Sequence, residues 1–380
     1  MRLSDPKNKC CGCAACANAC PKSAIEMVQD DCGFLYPKID ESKCVECGLC
    51  AKVCDFKKER SKESNIHKAY SLVLKNPKKL YESTSGGAFC AFSDFILESG
   101  GAVCGCVMEG DFTVHHIITT EASQRDRMKR SKYVQSDISD VYKPLKTLLE
   151  DGRPVLFCGT PCQCAALKSF LRKEYRNLYV IDFLCHGVPN NYLFKEHVLF
   201  LENKYGEKIN DYTFRDKVFG WNSYNNNVYT NSGMKSCLLN QVYYHFFVRN
   251  YSLRPSCFNC SYRSLNRPSD LTIADFWGIE KITKKKNHDG VSLVLEHTEK
   301  GSFLMSQVIN DKAYVCEIPV QDILYRISTK PARQPVNVEM FWSEYRKNNY
   351  EGLFSRFFDY SLKKRIRFEI RKILKKFRLC

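Results

Sequence analysis

Two short stretches determine the fold of the N-terminal region: CCGCAACANACP at residues 10–21 and CVECGLCAKVCD at residues 44–55. Both follow the cysteine spacing C-x2-C-x2-C-x3-C, so the pattern is an internal repeat. Three thiolates at this spacing can surround one corner of a cubane cluster, and in two-cluster ferredoxins the fourth binds the other cluster. The repeat therefore predicts a dicluster 4Fe-4S ferredoxin-type domain over residues 1–60.

The crossed pattern divides eight cysteines between two 4Fe-4S clusters. One cluster is expected on Cys10, Cys13, Cys16 and Cys54, and the other on Cys20, Cys44, Cys47 and Cys50. Asp55 stands where the full pattern has a second proline, a change that removes no ligand. Cys11 and Cys32 are interpreted as small packed side chains. Zinc and disulfides are the alternatives, but zinc sites more often show paired C-x2-C arms with longer gaps.

The composition favours an intracellular metalloprotein. The chain has 380 residues, 22 cysteines and a formal net charge of +16. Disulfide-rich chains are normally short and secreted, and this sequence starts without the apolar segment of a secretory signal. No uncharged run reaches the roughly 18 residues of a membrane-spanning helix. We therefore expect a soluble cytoplasmic protein whose thiols stay available as metal ligands.

The rest of the chain predicts a mixed α/β (α+β) fold, in which the small ferredoxin-like domain precedes a larger α/β domain with a partly parallel sheet. A charged, polar linker separates the two, because residues 55–66 read DFKKERSKESNI. We place the larger domain at residues 66–300, a C-terminal extension of it at 301–360 and a basic tail at 361–380.

Two strand–turn–helix units lie in the larger domain. The first unit consists of the strand PVLF, the turn GTPCQ and the helix start CAALKSFL. The second consists of the strand YVIDFL, the turn CHGVP and a following helix. Turns at the carboxyl ends of parallel strands are where α/β proteins bind ligands, so Cys162 and Cys185 should share one sheet edge. Cys257 and Cys260 form a C-x2-C pair further along the chain. These four cysteines could complete a third four-thiolate site, although spacing alone does not pair such distant ligands.

Several of these motifs together resemble the coenzyme F-420 hydrogenase/dehydrogenase beta subunit family, in its form with a fused dicluster ferredoxin domain. The motifs, which span roughly residues 65–300, are STSGGAF, SKYVQS, FCGTPCQ, DFLCHGVP and CFNCSYRSLNRPSDLTIADFWGI. The resemblance implies an FAD-containing iron–sulfur oxidoreductase core. It also implies that Cys162, Cys185, Cys257 and Cys260 hold a third 4Fe-4S cluster, with Cys158 and Cys164 left as spares.

The same resemblance supplies a flavin site. Ser85, Gly86 and Gly87 resemble small residues that face phosphate, and Lys132, Tyr133, Gln135 and Ser136 resemble a second cofactor-contacting segment. Thr160 would lie near the flavin ring. Each of these residues could instead have an ordinary capping or surface role.

The resemblance names a deazaflavin as substrate, but members also occur in bacteria that need not make it, sometimes beside polysaccharide genes. The main hypothesis is therefore a flavin-dependent iron–sulfur oxidoreductase that acts on a deazaflavin-like or another small molecule. The alternative is an electron-transfer adapter subunit without substrate turnover. A third, weaker hypothesis is a zinc-stabilised binding protein.

No acid or base stands out for catalysis. His186 in CHGVP is a weak candidate, because it could equally donate a hydrogen bond to a cluster sulfur. Asp270 and Asp275 are interpreted as residues that support the fold or orient a cofactor, and His115 and His116 are given no role.

The tail ends in SLKKRIRFEIRKILKKFRLC, where Leu362, Ile366, Ile370, Ile373 and Phe377 recur at helical spacing. Nine of the residues from 363 to 378 are lysine or arginine, so the tail predicts a basic amphipathic helix. It could contact an anionic membrane surface or an acidic redox partner, or pack its apolar face on the protein. Nucleic-acid binding is not expected, since the charge is local and no recognition module is present.

Overall fold

The computed structural model describes residues 7–221, 225–283, 289–309 and 311–376. Phe377, which the tail pattern includes, lies outside the described residues. Within them, no helix is both long and apolar enough to cross a membrane.

The secondary structure alternates strands and helices after a short N-terminal region. The strands are β1 (Ile25–Gln29), β2 (Leu35–Ile39), β3 (Lys68–Leu74), β4 (Ala102–Met108), β5 (Val114–Thr119), β6 (Val155–Gly159), β7 (Leu178–Phe183), β8 (Ile209–Thr213), β9 (Asn227–Thr230), β10 (Gly233–Lys235), β11 (Leu271–Asp275), β12 (Ser292–Glu296) and β13 (Ala313–Ile318). The helices are α1 (Ala15–Ala19), α2 (Leu49–Lys52), α3 (Pro77–Tyr81), α4 (Ala88–Glu98), α5 (Ala122–Asp126), α6 (Tyr142–Glu150), α7 (Pro161–Leu171), α8 (Asn191–Tyr205), α9 (Val242–Val248), α10 (Glu280–Thr283), α11 (Glu299–Val308), α12 (Gln321–Leu324), α13 (Val338–Phe357) and α14 (Leu362–Lys376).

The N-terminal domain consists of the two cysteine repeats around an antiparallel hairpin. β1 pairs with β2 in the register Ile25↔Ile39, and α1 and α2 start at equivalent positions of the two repeats. Such a small domain buries little apolar surface of its own. Ala14, Ala15 and Val53 instead join the core cluster formed by α6, α7 and the neighbouring strands, so the domain is packed against the rest of the protein.

The large domain is built on a mixed sheet with the strand order β13-β3-β12-β11-β7-β6-β4-β5. Its centre is parallel, from β11 through β7 and β6 to β4, while the pairings beyond it are antiparallel. The apolar faces of α4 and α11 cover one side, and α6 and α7 cover the other. The expected mixed α/β fold with a partly parallel sheet is therefore confirmed.

The chain beyond the expected boundary at residue 300 begins inside the large domain. α11 runs through that boundary, and β13 then extends the sheet by pairing with β3 up to Ile318. A separate layer, made of β8–β10 with α8, α9 and α13, surrounds an aromatic cluster that includes Phe194, Tyr243 and Phe246.

Candidate iron–sulfur and flavin site

The two cysteine repeats share an unusual backbone conformation. Gly12 and Ala14 in the first repeat have φ values of 66° and 55°, and the equivalent Glu46 and Gly48 in the second have 49° and 72°. Left-handed conformations are costly for alanine and glutamate and persist only where the surroundings impose them. The same wrapping of both loops fits two equivalent cluster sites.

The neighbours of two of these thiols are those that the crossed prediction gives. Burial raises the pKa of the Cys16 thiol, and the neighbouring Cys13, Cys10 and Cys54 raise it further. Burial also raises the pKa of Cys50, with contributions from Cys47 and Cys20. We call Cys10, Cys13, Cys16 and Cys54 the inner site, and Cys20, Cys44, Cys47 and Cys50 the outer site.

A third group of cysteines lies on the edge of the large sheet. β6 and β7 pair in parallel, and α7 starts at Pro161 directly after β6. Cys162 in the first turn of α7 and Cys185 after β7 line one pocket together with Cys257 and Cys260. Burial raises the pKa of Cys185, and the thiols of Cys257, Cys162 and Cys260 raise it further. We call these four residues the core cysteine pocket.

The donor set suits a cluster better than a single ion. Tetrahedral zinc ligands lie about 3.8 Å apart, as follows from a Zn–S bond of about 2.3 Å. In the described part of the chain, one group of three side chains has its potential ligand atoms within 4.8 Å of one another. It consists of Asp30, Asp31 and Cys32. No three cysteine sulfurs of the described residues lie that close together, so none of the cysteine groups has the compact arrangement of a single zinc site.

Cys11 connects the inner site with the core cysteine pocket. It is buried and lines the pocket, and its thiol lies beside those of Cys13 and Cys162. The single Cys11 proton can be donated to either neighbour, which lowers the pKa of Cys13 and that of Cys162. Sequence reasoning missed this contact, because Cys11 is a spare residue in the repeat pattern.

Asp55, the departure from the proline of the full pattern, ties the two domains together. Its carboxylate accepts a hydrogen bond of 2.8 Å from the Tyr262 hydroxyl, two residues after Cys260. It also pairs with Arg60, whose guanidinium lies 4.0 Å from the centre of the Tyr262 ring. A proline here could form none of these contacts.

The two segments assigned to the flavin lie side by side. The Ser131 amide donates a hydrogen bond of 2.8 Å to the Thr84 hydroxyl, which joins the SKYVQS and STSGG segments. Lys217 adds a third element, since its Nζ donates to the carbonyls of Ser85 at 3.0 Å and Asp289 at 2.6 Å. Burial lowers the pKa of Lys217 to about 8. Nothing in the sequence singled out Lys217.

The glycines of STSGG have a packing role. A Cβ on Gly86 would lie 2.0 Å from the Leu72 carbonyl oxygen, and one on Gly87 would lie 2.2 Å from the Leu74 side chain. Gly87 also has a φ of +84° at the N-cap of α4. Ser85 donates to the Val291 carbonyl at 2.7 Å. These contacts hold the segment close against β3 and β12.

The remaining flavin candidates also have partners within the protein. The Lys132 ammonium donates to the Lys129 carbonyl at 2.8 Å, and Tyr133 stacks on Phe247 at 5.0 Å. Ser136 hydrogen-bonds His116 at 2.7 Å. Thr160 forms a capping box with Gln163, and its hydroxyl lies 3.2 Å from Cys162 Sγ.

Gln135 lies at the domain junction. Its side-chain amide donates to the Cys11 carbonyl at 2.8 Å, and its oxygen accepts from Arg254 at 3.1 Å. It therefore contacts the loop of the first repeat directly, which the sequence did not indicate.

His186 lines the core cysteine pocket. Its Nε2 lies 2.7 Å from the Asn250 side-chain oxygen, and burial lowers its pKa. Its ring meets Phe247 edge-on at 5.2 Å, so aromatic rings link His186 to Tyr133.

Asp275 lies in β11 and Asp270 directly precedes it, and both form contacts with other groups of the protein. Asp270 is fully buried and accepts from the Val180 amide at 2.8 Å. Asp275 pairs with Arg215 and accepts from the Trp221 indole at 3.1 Å.

Two cysteine repeats with this spacing are typical of iron–sulfur electron-transfer proteins, and here the inner site adjoins a further cysteine pocket. Residues 9–58 match the 4Fe-4S dicluster domain family. Residues 152–321 match the family described as the C terminus of the coenzyme F420 hydrogenase/dehydrogenase beta subunit. The chain thus joins a dicluster domain with two 4Fe-4S cluster sites to a region that matches the C-terminal part of that beta subunit family.

Two similar proteins come from Methanocaldococcus jannaschii and Methanosarcina barkeri. A coenzyme F420-dependent sulfite reductase of Methanocaldococcus jannaschii is 25% identical over 183 residues, which cover 47% of this chain and 28% of that protein. The chain thus spans well under half the length of that curated relative. A chain of the F420-reducing [NiFe] hydrogenase complex from Methanosarcina barkeri superposes with a TM-score of 0.47 at 15% identity, over 78% of this chain and 91% of that one.

Proposed function

We propose that the protein is a flavin-dependent iron–sulfur oxidoreductase that passes electrons between FAD, its 4Fe-4S clusters and a small molecule of the deazaflavin type. The observation that carries the proposal is the shared pocket of Cys162, Cys185, Cys257 and Cys260, with Cys11 of the dicluster domain in its wall. Cysteines from four separate segments meet beside the inner site, so a redox route could continue from the dicluster domain into the large domain.

The third cluster would be held by the core cysteine pocket. All four thiols are half-buried, and the Thr160 hydroxyl and the Cys11 thiol are close enough to hydrogen-bond the ligand Cys162. Hydrogen bonds to ligand sulfurs favour the thiolate and tune the potential of a cluster. Four thiolates and neighbouring donors are the set that a 4Fe-4S cluster needs.

A flavin would supply the conversion between two-electron and one-electron transfer. We propose Ser85, Gly86, Gly87, Lys132, Tyr133, Ser136 and Thr160 as its contacts, as the family resemblance implies. The contact between Thr84 and Ser131 supports a common site, because it brings both segments together. Lys132 and Lys217 place positive charge beside this contact, where a pyrophosphate would need it. Gln135 was predicted as a further contact, and its bonds to Cys11 and Arg254 favour the junction instead.

An electron-transfer adapter without its own substrate is the second candidate. It is favoured by the hydrogen bonds and packing contacts that each proposed flavin residue already makes within the protein. In either case a redox partner protein is expected at the outer site, since Cys47 is exposed.

Anaerobic purification followed by iron, sulfide and flavin assays on the same sample separates the two candidates. The oxidoreductase predicts about twelve irons and one released FAD per chain, which corresponds to three 4Fe-4S clusters. About twelve irons without flavin would favour the adapter. About eight irons would remove the third cluster and contradict the route through the core cysteine pocket.

We also propose that α14 brings the protein to an anionic membrane surface. Leu362, Ile366, Ile370 and Ile373 form an apolar stripe along α14, and each is at least 50% exposed. The helix contacts the protein through another side, where Lys372 donates to the Ser236 carbonyl. Lys363, Arg367 and Arg371 flank the stripe, so cations would meet anionic headgroups while the stripe enters the bilayer surface.

Co-sedimentation with vesicles tests this contact. Vesicles of phosphatidylglycerol and phosphatidylcholine should bind the protein, whereas phosphatidylcholine alone should not. Ile370→Asp should abolish binding, and Tyr314→Asp, at an aromatic residue on β13 that is 67% exposed against 50% for Ile370, should leave it intact. Binding that survives Ile370→Asp would mean that the stripe does not enter the bilayer. Failure of the unaltered protein to bind the anionic vesicles would contradict a membrane role and leave an acidic redox partner as the occupant.

A further inference from the structure

The buried arginines of the protein fall into two kinds. Arg125, Arg215 and Arg267 are buried and pair with Asp94, Asp275 and Asp182, respectively. Arg254 is also fully buried, yet no carboxylate among the described residues forms an ion pair with it. Burying a cation without a counter-charge is strongly unfavourable, so this exception calls for an anionic partner.

The guanidinium of Arg254 is held in one orientation at the domain junction. Its Nε donates to the Cys10 carbonyl at 2.8 Å, and its two terminal nitrogens donate to Gln135 Oε1 at 3.1 Å and to the Leu35 carbonyl at 2.7 Å. The ring of Tyr36 lies 4.3 Å from the guanidinium carbon. These neutral partners fix the position of the charge but do not cancel it.

This position faces two cysteine sites at once. One terminal nitrogen lies 3.9 Å from Cys10 Sγ, and the side chain lines the core cysteine pocket. The backbone amide of Arg254 donates to the Val188 carbonyl, and its carbonyl accepts from the Cys257 amide, both at 2.9 Å. The charge is therefore anchored to the CHGVP loop and to the turn that carries Cys257.

We propose that Arg254 is a positioning residue that raises the reduction potential of the cluster at the inner site above that of the outer site. Four thiolates give a 4Fe-4S cluster a net negative charge, and reduction makes that charge larger. A fixed cation at Cys10, in surroundings with little water to screen it, stabilises the reduced state most. The lysines beside the outer ligands, Lys43 and Lys52, are exposed, so solvent screens their charge and electrons should collect at the inner site.

The inference rests on the ligand assignment of the dicluster domain and not on the flavin, so protein without FAD tests it equally well. The experiment is a redox titration of the full chain, followed by electron paramagnetic resonance, with iron and sulfide measured on the same sample. Arg254→Gln should lower the potential of the inner cluster and leave that of the outer cluster unchanged. At a fixed potential, we expect at least a tenfold lower ratio of reduced to oxidised inner cluster, which equals about 59 mV for one electron.

Three further variants make the result decisive. Arg254→Lys keeps the charge and should retain most of the potential, which loss of packing alone would not explain. Gln135→Glu places a carboxylate against the intact guanidinium and should lower the inner potential as well. Arg346→Gln removes the same charge from an exposed pair with Asp31, where solvent screens it, and should change nothing.

Unchanged potentials in Arg254→Gln, or an equal shift of all clusters, would overturn the proposal. If Arg254→Gln loses its iron, Gln135→Glu decides: a selective fall in the inner potential supports the proposal, and unchanged potentials refute it. Iron content below eight per chain in the unaltered protein would instead refute the dicluster assignment, so the two failures are distinguishable.

Discussion

The two cysteine repeats have the same spacing and the same backbone conformation, but their surroundings differ. At the second position of the loop, Cys11 is 6% exposed in the first repeat, whereas Val45 is 57% exposed in the second. At the next position, Gly12 packs against Arg254, and its counterpart Glu46 is exposed. The inner site faces the large domain, and the outer site faces solvent.

The comparison shows that the conformation of a loop and the environment of its cluster depend on different parts of the sequence. Local sequence determines the loop that surrounds a cluster, which explains why two copies of one pattern adopt one conformation. The environment of each cluster comes from residues far along the chain, such as Arg254 and Tyr262. Equivalent clusters can therefore differ in potential and exposure, and the following experiments test that contrast.

Replacement of one ligand in each site should have the largest effect. Cys16→Ser should reduce the yield of holoprotein severely, because the inner site lies in the packed interface between the domains. Cys47→Ser should leave a folded protein with about eight of about twelve irons, since the outer ligand is exposed. Iron content and thermal melting measure both. Equal losses in the two variants would contradict the contrast between the sites.

The crossed ligation gives the next test. Cys54→Ser should remove the inner cluster although Cys54 belongs to the second repeat, and Cys20→Ser should remove the outer one. The magnetic resonance signal that is lost in each variant identifies the cluster. If Cys54→Ser and Cys47→Ser lose the same signal, each repeat binds its own cluster and the crossed assignment is wrong.

Two glycine substitutions compare the loops at a finer scale. A Cβ on Gly12 would lie 2.7 Å from the Arg254 guanidinium, whereas one on Gly48 would meet nothing within 4 Å. In both substitutions the alanine must adopt a left-handed backbone conformation, which costs about 1–2 kcal/mol of stability. Gly12→Ala must also displace Arg254, so it should lower the melting temperature clearly more. Gly48→Ala should be tolerated, because Ala14 already occupies the equivalent position with a φ of 55°.

The smallest expected effect concerns the contact between the domains. Tyr262→Phe removes the hydrogen bond to Asp55 while keeping the ring against Arg60. The free energy of unfolding should fall by about 1 kcal/mol, as for one partly buried hydrogen bond. Denaturant unfolding measures it, with Tyr325→Phe at an exposed tyrosine as the control. A change equal to that of the control would mean that Asp55 does not contribute to docking.

Spacing alone was enough to predict the dicluster domain, because cluster ligation is a local property of each loop. Alternating strands and helices likewise predicted the parallel pairing of β6 and β7, and with it the shared edge of Cys162 and Cys185. The C-x2-C spacing singled out Cys257 and Cys260, and the family resemblance assigned them to the same site. Their turn reaches the same pocket from a distant part of the chain.

The contacts among Arg254, Gln135 and Cys11 could not be predicted from the sequence, for a physical reason. Arg254, Gln135 and Cys11 meet through contacts that span more than 100 residues, and none of them belongs to a periodic pattern. The same holds for Lys217, which reaches the carbonyl of Ser85 across 132 positions. The left-handed conformation of Glu46 could not be predicted from the sequence either, because only the folded loop imposes it.

The distance along the chain between Cys10 and Arg254, 244 positions, also sets an order of assembly. During synthesis, all eight cysteines of the dicluster domain leave the ribosome long before the arginine that covers the first loop. Iron and sulfide can therefore reach the inner site while it is still open, and the large domain closes over it only afterwards. A chain arrested before residue 254 should hold its inner cluster as loosely as its outer one.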